Sequence, residues 1–185
     1  MKINSLETLF HEELKDIYDA EKRLTKALPK MMKACHSEKL KAALKSHLAA
    51  TITQVARLET IFELLGAKPV SKPCLAMKGL LEEGEEAMTA EGTLPFTDIL
   101  IIGAARRVEH YEMAAYLSLR DIAAHLALTD VEKLLSTTLM EESEADEALS
   151  EISMSLMNGS GMSADMEKKS PATQSQPEKR KAANA

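Results

Sequence analysis

Apolar residues recur at three- and four-residue steps along most of the chain, the spacing that gathers side chains on one face of an α-helix. The first stripe runs through Leu6, Phe10, Leu14, Ile17, Leu24 and Leu28 and opens at a cap on Asn4 or Ser5, with Asn4 and Glu7 spaced like a capping box. Pro29 interrupts it, yet Met31, Met32 and Ala34 continue the pattern, so a kink or local break is expected there rather than a stop. A second stripe, Leu40, Leu44, Thr51, Leu58, Ile61 and Leu65, widened by Leu48 and Val55, starts at Ser37 and Glu38 and closes at Gly66 before Pro69. Only a few residues around His36 separate the two, which predicts an antiparallel hairpin.

Residues 67–73 read as a linker, 74 to about 90 as a shorter helix carrying Leu75, Leu80, Leu81 and Met88, and Glu91-Gly92-Thr93-Leu94-Pro95 as a break. A third long helix is expected over 98–126. Thr129 with Glu132 makes a second capping box that opens a fourth, running to Met157 and stopped by Asn158-Gly159. At 1.5 Å per residue, helices of about 28 residues are about 42 Å long. No segment alternates with period two, so no strand is expected. The fold class is all-α: two antiparallel hairpins joined by a long crossover carrying a short fifth helix, the topology of a ferritin-like four-helix bundle. The bundle is assigned to residues 1–158. Periodicity vanishes beyond it, and 159–185 is expected to be a disordered polar tail, its Lys179-Arg180-Lys181 cluster a solvated end.

Carboxylates interrupt the apolar stripes. Stepping along the first helix through Phe10, Leu14 and Ile17 lands on Glu21 before Leu24; on the third, Ala105 and Val108 lead to Glu109 and Glu112 and then to Tyr116 and Leu119. On the fourth, Val131, Leu135 and Leu139 lead to Glu142 and Asp146 before Leu149 and Ile152, while the second places His47 and Gln54 inward, with Ala50 between them. Any one of these acids is more simply a bundle-edge residue paired with Lys or Arg, and His47 alone a satisfied core histidine. Jointly, several carboxylates pointing into one bundle would repel one another and resist burial, which calls for a cation among them. Oxygen-rich ligation with an imidazole suits iron or manganese, as a dinuclear site, better than a thiolate-seeking metal.

The remaining composition narrows the partners. A formal net charge of −6 over 185 residues disfavours nucleic acid and anionic membrane surfaces. The N-terminus lacks a secretory layout, and the longest apolar run, Ile99 to Ala105, is far short of the roughly 20 residues that span a bilayer. Cys35 and Cys74 belong to no Cys-x-x-Cys pair and read as small buried hydrophobes in a reducing cytoplasm. His110 is turned about 100° from Glu109 and is at best a neighbour of the site. The methionines, 11 in all, read as core filler and tail composition.

The strings Tyr18-Asp-Ala-Glu21-Lys-Arg-Leu24, His47-Leu-Ala-Ala-Thr51-x-x-Gln54, Cys74-Leu-Ala-Met77-Lys-Gly79-Leu80-x-Glu82-Glu83 and Val108-Glu109-His110-Tyr111-Glu112 resemble, as a set, the YciE/YciF family of ferritin-like bacterial stress proteins. The resemblance covers about residues 5 to 157. It implies a rubrerythrin-related bundle, a homodimer rather than a cage, and a two-metal site. By match to the family's motifs, Glu21, Glu109, Glu112, Glu142 and Asp146 are the implied metal ligands, with His47 and Gln54 lining the same cavity. This chain departs from the family where the second helix usually reads His-Leu-Glu-Glu-Thr: Ala49 and Ala50 stand in place of two acids. It also lacks Glu-x-x-His pairs, which implies an asymmetric, weakened or even mononuclear site.

Two functions fit these expectations. One is a ferroxidase-like or peroxide-consuming metalloprotein in which Glu21 and Glu142 anchor separate ions, Glu109 or Glu112 bridges them, and Tyr18, Tyr111 or Tyr116 passes an electron. The other is a non-catalytic helical stress protein with a degenerate site that acts by association.

Overall fold

The computed structural model describes residues 3–159. Five helices follow in order: α1 (Leu6–Ala34), α2 (Glu38–Leu64), α3 (Leu75–Thr89), α4 (Phe96–His125) and α5 (Thr129–Gly159), with no strand among the described residues. α1 packs on α2, α2 on α5, α5 on α4 and α4 back on α1, closing a four-helix ring, while α3 lies outside against α1 and α4. No described helix is long and apolar enough to cross a membrane.

Chain direction follows from one buried acid. Asp98, in the first turn of α4, accepts the backbone N–H groups of His36 at 2.9 Å and Ser37 at 2.6 Å, at the turn between α1 and α2. α4 therefore starts at the end where α1 stops and α2 begins. It runs parallel to α2 and antiparallel to α1, as a ferritin-like bundle requires and an up-down-up-down bundle does not. The acid also supplies acceptors to amides that a three-residue turn could not satisfy itself.

Several boundaries differ from the sequence pattern, each for a local reason. α1 is capped by Ser5, whose hydroxyl accepts the Thr8 N–H at 3.2 Å, rather than through an Asn4–Glu7 box. The helix runs unbroken through Pro29: the residue lies in the last two turns, and Leu28 and Met31 on either side are buried. Thr129 is the first residue of α5 rather than its cap, because the Glu132 amide bonds the Leu128 carbonyl at 2.9 Å. α5 continues through Asn158 and Gly159, so the expected stop is displaced. The expectation for 160–185 falls outside the described residues.

α2 ends as expected at Gly66, whose φ of +64° is the left-handed conformation that closes a helix; Ala67 N–H bonds Phe62 O and Gly66 N–H bonds Glu63 O. α4 ends with the same bonds but without a glycine: Ala127 takes φ +57°, with Leu128 N–H on Ala123 O. The core joins Phe10, Leu14, Ile17, Leu24, Leu58, Ile61, Phe62, Ile101, Leu119 and Leu135. Both cysteines are free and buried in it. Cys74 also caps α3, its sulfur accepting the Met77 N–H.

Candidate metal centre

The middle of the bundle is polar. Glu21 on α1, Glu109 and Glu112 on α4 and Glu142 on α5 are each at most 2% exposed, and His47 on α2 is 9% exposed. The same apolar periodicity that buries Ile17 and Leu24 buries Glu21 between them, and Val108 and Tyr116 carry Glu109 and Glu112 inward in the same way.

His47, Glu109, Glu112 and Glu142 each present one ligand-type atom within 4.8 Å of the others, a constellation that could hold a metal ion. His47 Nε2 lies 3.3 Å from Glu109 Oε1 and 3.9 Å from Glu142 Oε2. Glu21 stands beside this group, its Oε1 accepting the Tyr116 hydroxyl. Gln54 is buried nearby; its amide donates to Glu141 Oε2 at 3.0 Å and leaves its own Oε1 unpartnered.

Asp146, expected to point inward with the other acids, does not join them. Its two oxygens accept Arg106 Nε at 2.7 Å and Arg106 N–H at 3.0 Å, and exposed His110 lies 3.5 Å away. Four residues on from Glu142 amounts to 400°, so Asp146 sits about 40° around α5 from Glu142, far enough for an arginine at the bundle edge to claim it. Arg106 holds Asp146 below the usual carboxylate range. The tyrosines divide likewise: Tyr116 bonds Glu21, Tyr18 donates to Glu59, and Tyr111 contacts Cys74 and Asp16.

The sequence pattern missed a cation beside the cluster. Arg57 of α2 makes a bidentate pair with Glu141, both bonds 2.8 Å, and bonds Thr138 at 2.6 Å. Burial works against ionising Glu141, yet Arg57 and Gln54 hold it below its ordinary range. Arg57 sits one turn beyond Gln54 on α2, the only hint the sequence offers.

Burial pushes Glu21, Glu109 and Glu112 well above the usual carboxylate range, and the carboxylates beside each push it further. Burial, with Glu141 nearby, raises Glu142 to about 7 against the pull of Glu109, Arg57 and Gln54. It lowers His47 to about 4, so the imidazole is neutral at neutral pH with a lone pair to offer. Glu21 Oε2, His47 Nε2, Glu109 Oε2 and both oxygens of Glu112 and of Glu142 are buried without a hydrogen-bond partner in the protein. So many orphaned acceptors in one place are costly unless protons or a cation engage them. Four carboxylates with one imidazole form a hard, oxygen-rich donor set that fits iron or manganese chemistry.

A cavity of about 240 Å³ between α2 and α5 reaches this cluster, with His47 and Glu109 among its lining residues. Ala50, where the family resemblance implies an acid, lines the same cavity, so no side chain on α2 replaces that carboxylate.

Residues 5–160 match the family described as a domain of unknown function, DUF892. The chain is 36% identical over 159 residues to the protein YciF of Escherichia coli K12, covering 85% of this chain and 96% of that one. The crystal structure of that stress protein superposes with a TM-score of 0.82, covering 84% of this chain and 99% of the other. YcfI of Rhodopseudomonas palustris, 38% identical, gives 0.79 over 80% and 95%. A Xanthomonas campestris protein at 22% identity gives 0.64 over 90% and 99%, a likeness of fold alone. The chain thus belongs to the YciE/YciF family of ferritin-like bacterial stress proteins.

Proposed function

We propose that this protein binds iron or manganese at His47, Glu109, Glu112 and Glu142, with Glu21 as a further ligand, and uses the bound metal to consume peroxide or to oxidise Fe(II) under stress. The observation that carries the reading is the set of buried, unpartnered imidazole and carboxylate atoms converging from four helices. Similarity to a stress protein agrees with it.

When bound, redox-active ions would supply the electrons that reduce peroxide to water. The protein's own residues prepare the place. His47 offers a neutral nitrogen, and the raised carboxylates release their protons as a cation replaces them, so affinity rises with pH through about 7 for Glu142. Tyr116 fixes one oxygen of Glu21 and leaves the other free to ligate. Arg57 and Glu141 neutralise each other at the edge, and apolar residues shield the cluster from bulk water except where the cavity between α2 and α5 reaches it.

Ala50 favours a second reading: a homodimeric helical stress protein that keeps the bundle with a reduced site and acts by association. Metal content separates the two. Protein from iron- or manganese-supplemented growth is expected to carry one to two equivalents per chain and to oxidise Fe(II) with peroxide. A chain that stays metal-free after anaerobic reconstitution sinks the first reading.

A further inference from the structure

We infer that the cavity between α2 and α5 is the route by which a hydrated divalent cation reaches the buried cluster, and that the alanines on its walls keep the route open. The inference rests on the metal-binding reading above and adds the path to it.

The walls are Ala43 and Ala50 of α2 and Ala145 and Ala148 of α5, with Leu44 and Leu149 beside them. His47 and Glu109, both buried, also line the cavity, and both belong to the cluster. The cavity is thus continuous with the cluster. Other depressions, one between α1 and α3 and one beside Glu7 and Leu128, touch none of the cluster residues. At about 30 Å³ per water, a volume of about 240 Å³ holds a cation with a full shell of six waters.

The charge of the lining selects the occupant. Glu109, Glu141 and Glu144 line the cavity, and no lysine or arginine does. Glu144 is exposed, Glu141 half-buried and Glu109 buried, so acidic groups stand at successive depths. Glu144, exposed at the mouth, draws a cation rather than an anion; deeper in, where Arg57 neutralises Glu141, the lining offers fixed oxygens that replace water ligands rather than further net charge. Arg57 does not line the route: its guanidinium is turned to Glu141 and Thr138. Apart from Ser46, the walls between His47 and the acidic groups are alanine and leucine, which offer a cation no ligand and suit passage rather than storage. A larger side chain at position 50 or 145 narrows the channel from either helix.

The test is the rate at which the metal-free full chain takes up cobalt(II). The chain has no tryptophan, so tyrosine emission, including that of Tyr116 bonded to Glu21, reports the arriving ion by quenching. Stopped-flow mixing gives association, and excess chelator gives release. Ala50→Leu and Ala145→Leu are each expected to slow both association and release by about tenfold or more, as a plugged channel requires. Glu144→Gln, on the exposed surface, is expected to slow association about threefold at low salt, the difference closing at high salt. It remains informative if the leucine variants fold poorly. Wild-type rates in all three variants would overturn the proposed route while leaving the metal reading intact. Fewer cobalt ions at saturation in the leucine variants, with unchanged rates, would also overturn it, because those positions would then shape the coordination rather than the path. No cobalt bound by the wild-type chain would overturn both.

Discussion

Tyr116 of α4 donates its hydroxyl hydrogen to Oε1 of Glu21 on α1, and both side chains are fully buried. The bond ties two neighbouring helices of the ring at the level of the acidic cluster. Burial, with Glu21 and Glu112 nearby, holds the phenol well above its ordinary range, so it stays a donor at any pH the fold tolerates. Tyr116→Phe leaves a buried carboxyl oxygen without its donor and is expected to destabilise the protein by about 1–3 kcal/mol. Urea unfolding in a chelator tests this; an unchanged midpoint would mean that Glu21 finds another donor.

Metal-free stability should depend on pH in a direction unusual for a carboxylate-rich protein. Glu21, Glu109, Glu112 and Glu142 have folded values above their unfolded ones, so their contribution is complete below about pH 4.5 and is lost as pH rises through the folded values, about 7 for Glu142. His47 acts oppositely: lowered to about 4, it contributes fully above about 6.5 and loses that contribution as pH falls. The two trends oppose each other between about 4.5 and 6.5, and only the carboxylate trend continues above that. Chelated protein is therefore expected to unfold at lower urea at pH 8 than at pH 6.5, and manganese or iron should remove the difference. A midpoint that climbs from pH 6.5 to 8 without metal would show that the cluster is not protonated as described.

Asp146 and Glu142, one turn apart on α5, separate a carboxylate paired with arginine from one buried in the acidic cluster. Asp146→Asn breaks the pair with Arg106 and weakens the contact with His110, both partners more than a third exposed, and is expected to cost at most about 1 kcal/mol while leaving metal content at the wild-type level. Glu142→Gln removes a carboxylate of the proposed site and is expected to abolish or greatly weaken metal binding, while leaving chelated protein at pH 8 at least as stable as wild type. Elemental analysis of both variants decides it. Equal metal loss in the two would place Asp146 back among the ligands.

These contrasts also show what the sequence made legible. Glu21, Glu109, Glu112 and Glu142 were visible because each interrupts an apolar stripe that continues on both sides, and burial of the flanking residues fixes the direction of the acid between them. Asp146 lies on the same stripe by spacing, but its partner Arg106 belongs to another helix, and periodicity carries no information about what stands across an interface. The same limit hid the Arg57–Glu141 pair, whose members are 84 residues apart. The crossover, and with it the direction of α4, was readable from the lengths of its pieces, whereas the contact of Asp98 with the His36–Ser37 turn that holds α4 there is one no local pattern encodes.

The end of α4 offers a stabilising change. Ala127 holds φ +57°, a conformation that costs an L-residue about 1 kcal/mol and costs glycine little. The residue is exposed, so its methyl group contributes little packing. Ala127→Gly is expected to raise stability by up to about 0.5 kcal/mol after the greater unfolded-state freedom of glycine is counted. A lower melting temperature would mean that the left-handed closure is not the conformation held in solution.

Ala50 bears on both site and function. A carboxylate placed there would rise from the wall of the cavity toward His47 and Glu109, where the family resemblance places an acid. Without metal it adds one more charge to a region that already holds raised carboxylates, so chelated Ala50→Glu should unfold more easily than wild type, most clearly at pH 8. With metal it adds a ligand, and a tenfold gain in affinity corresponds to about 1.4 kcal/mol. The rise in melting temperature on adding a fixed excess of manganese is therefore expected to be larger in Ala50→Glu than in wild type, and the number of ions bound should not fall. Should the variant lose stability without metal and gain none with it, the added carboxylate does not reach the ions, and the reduced ligand count of α2 is not what limits the site.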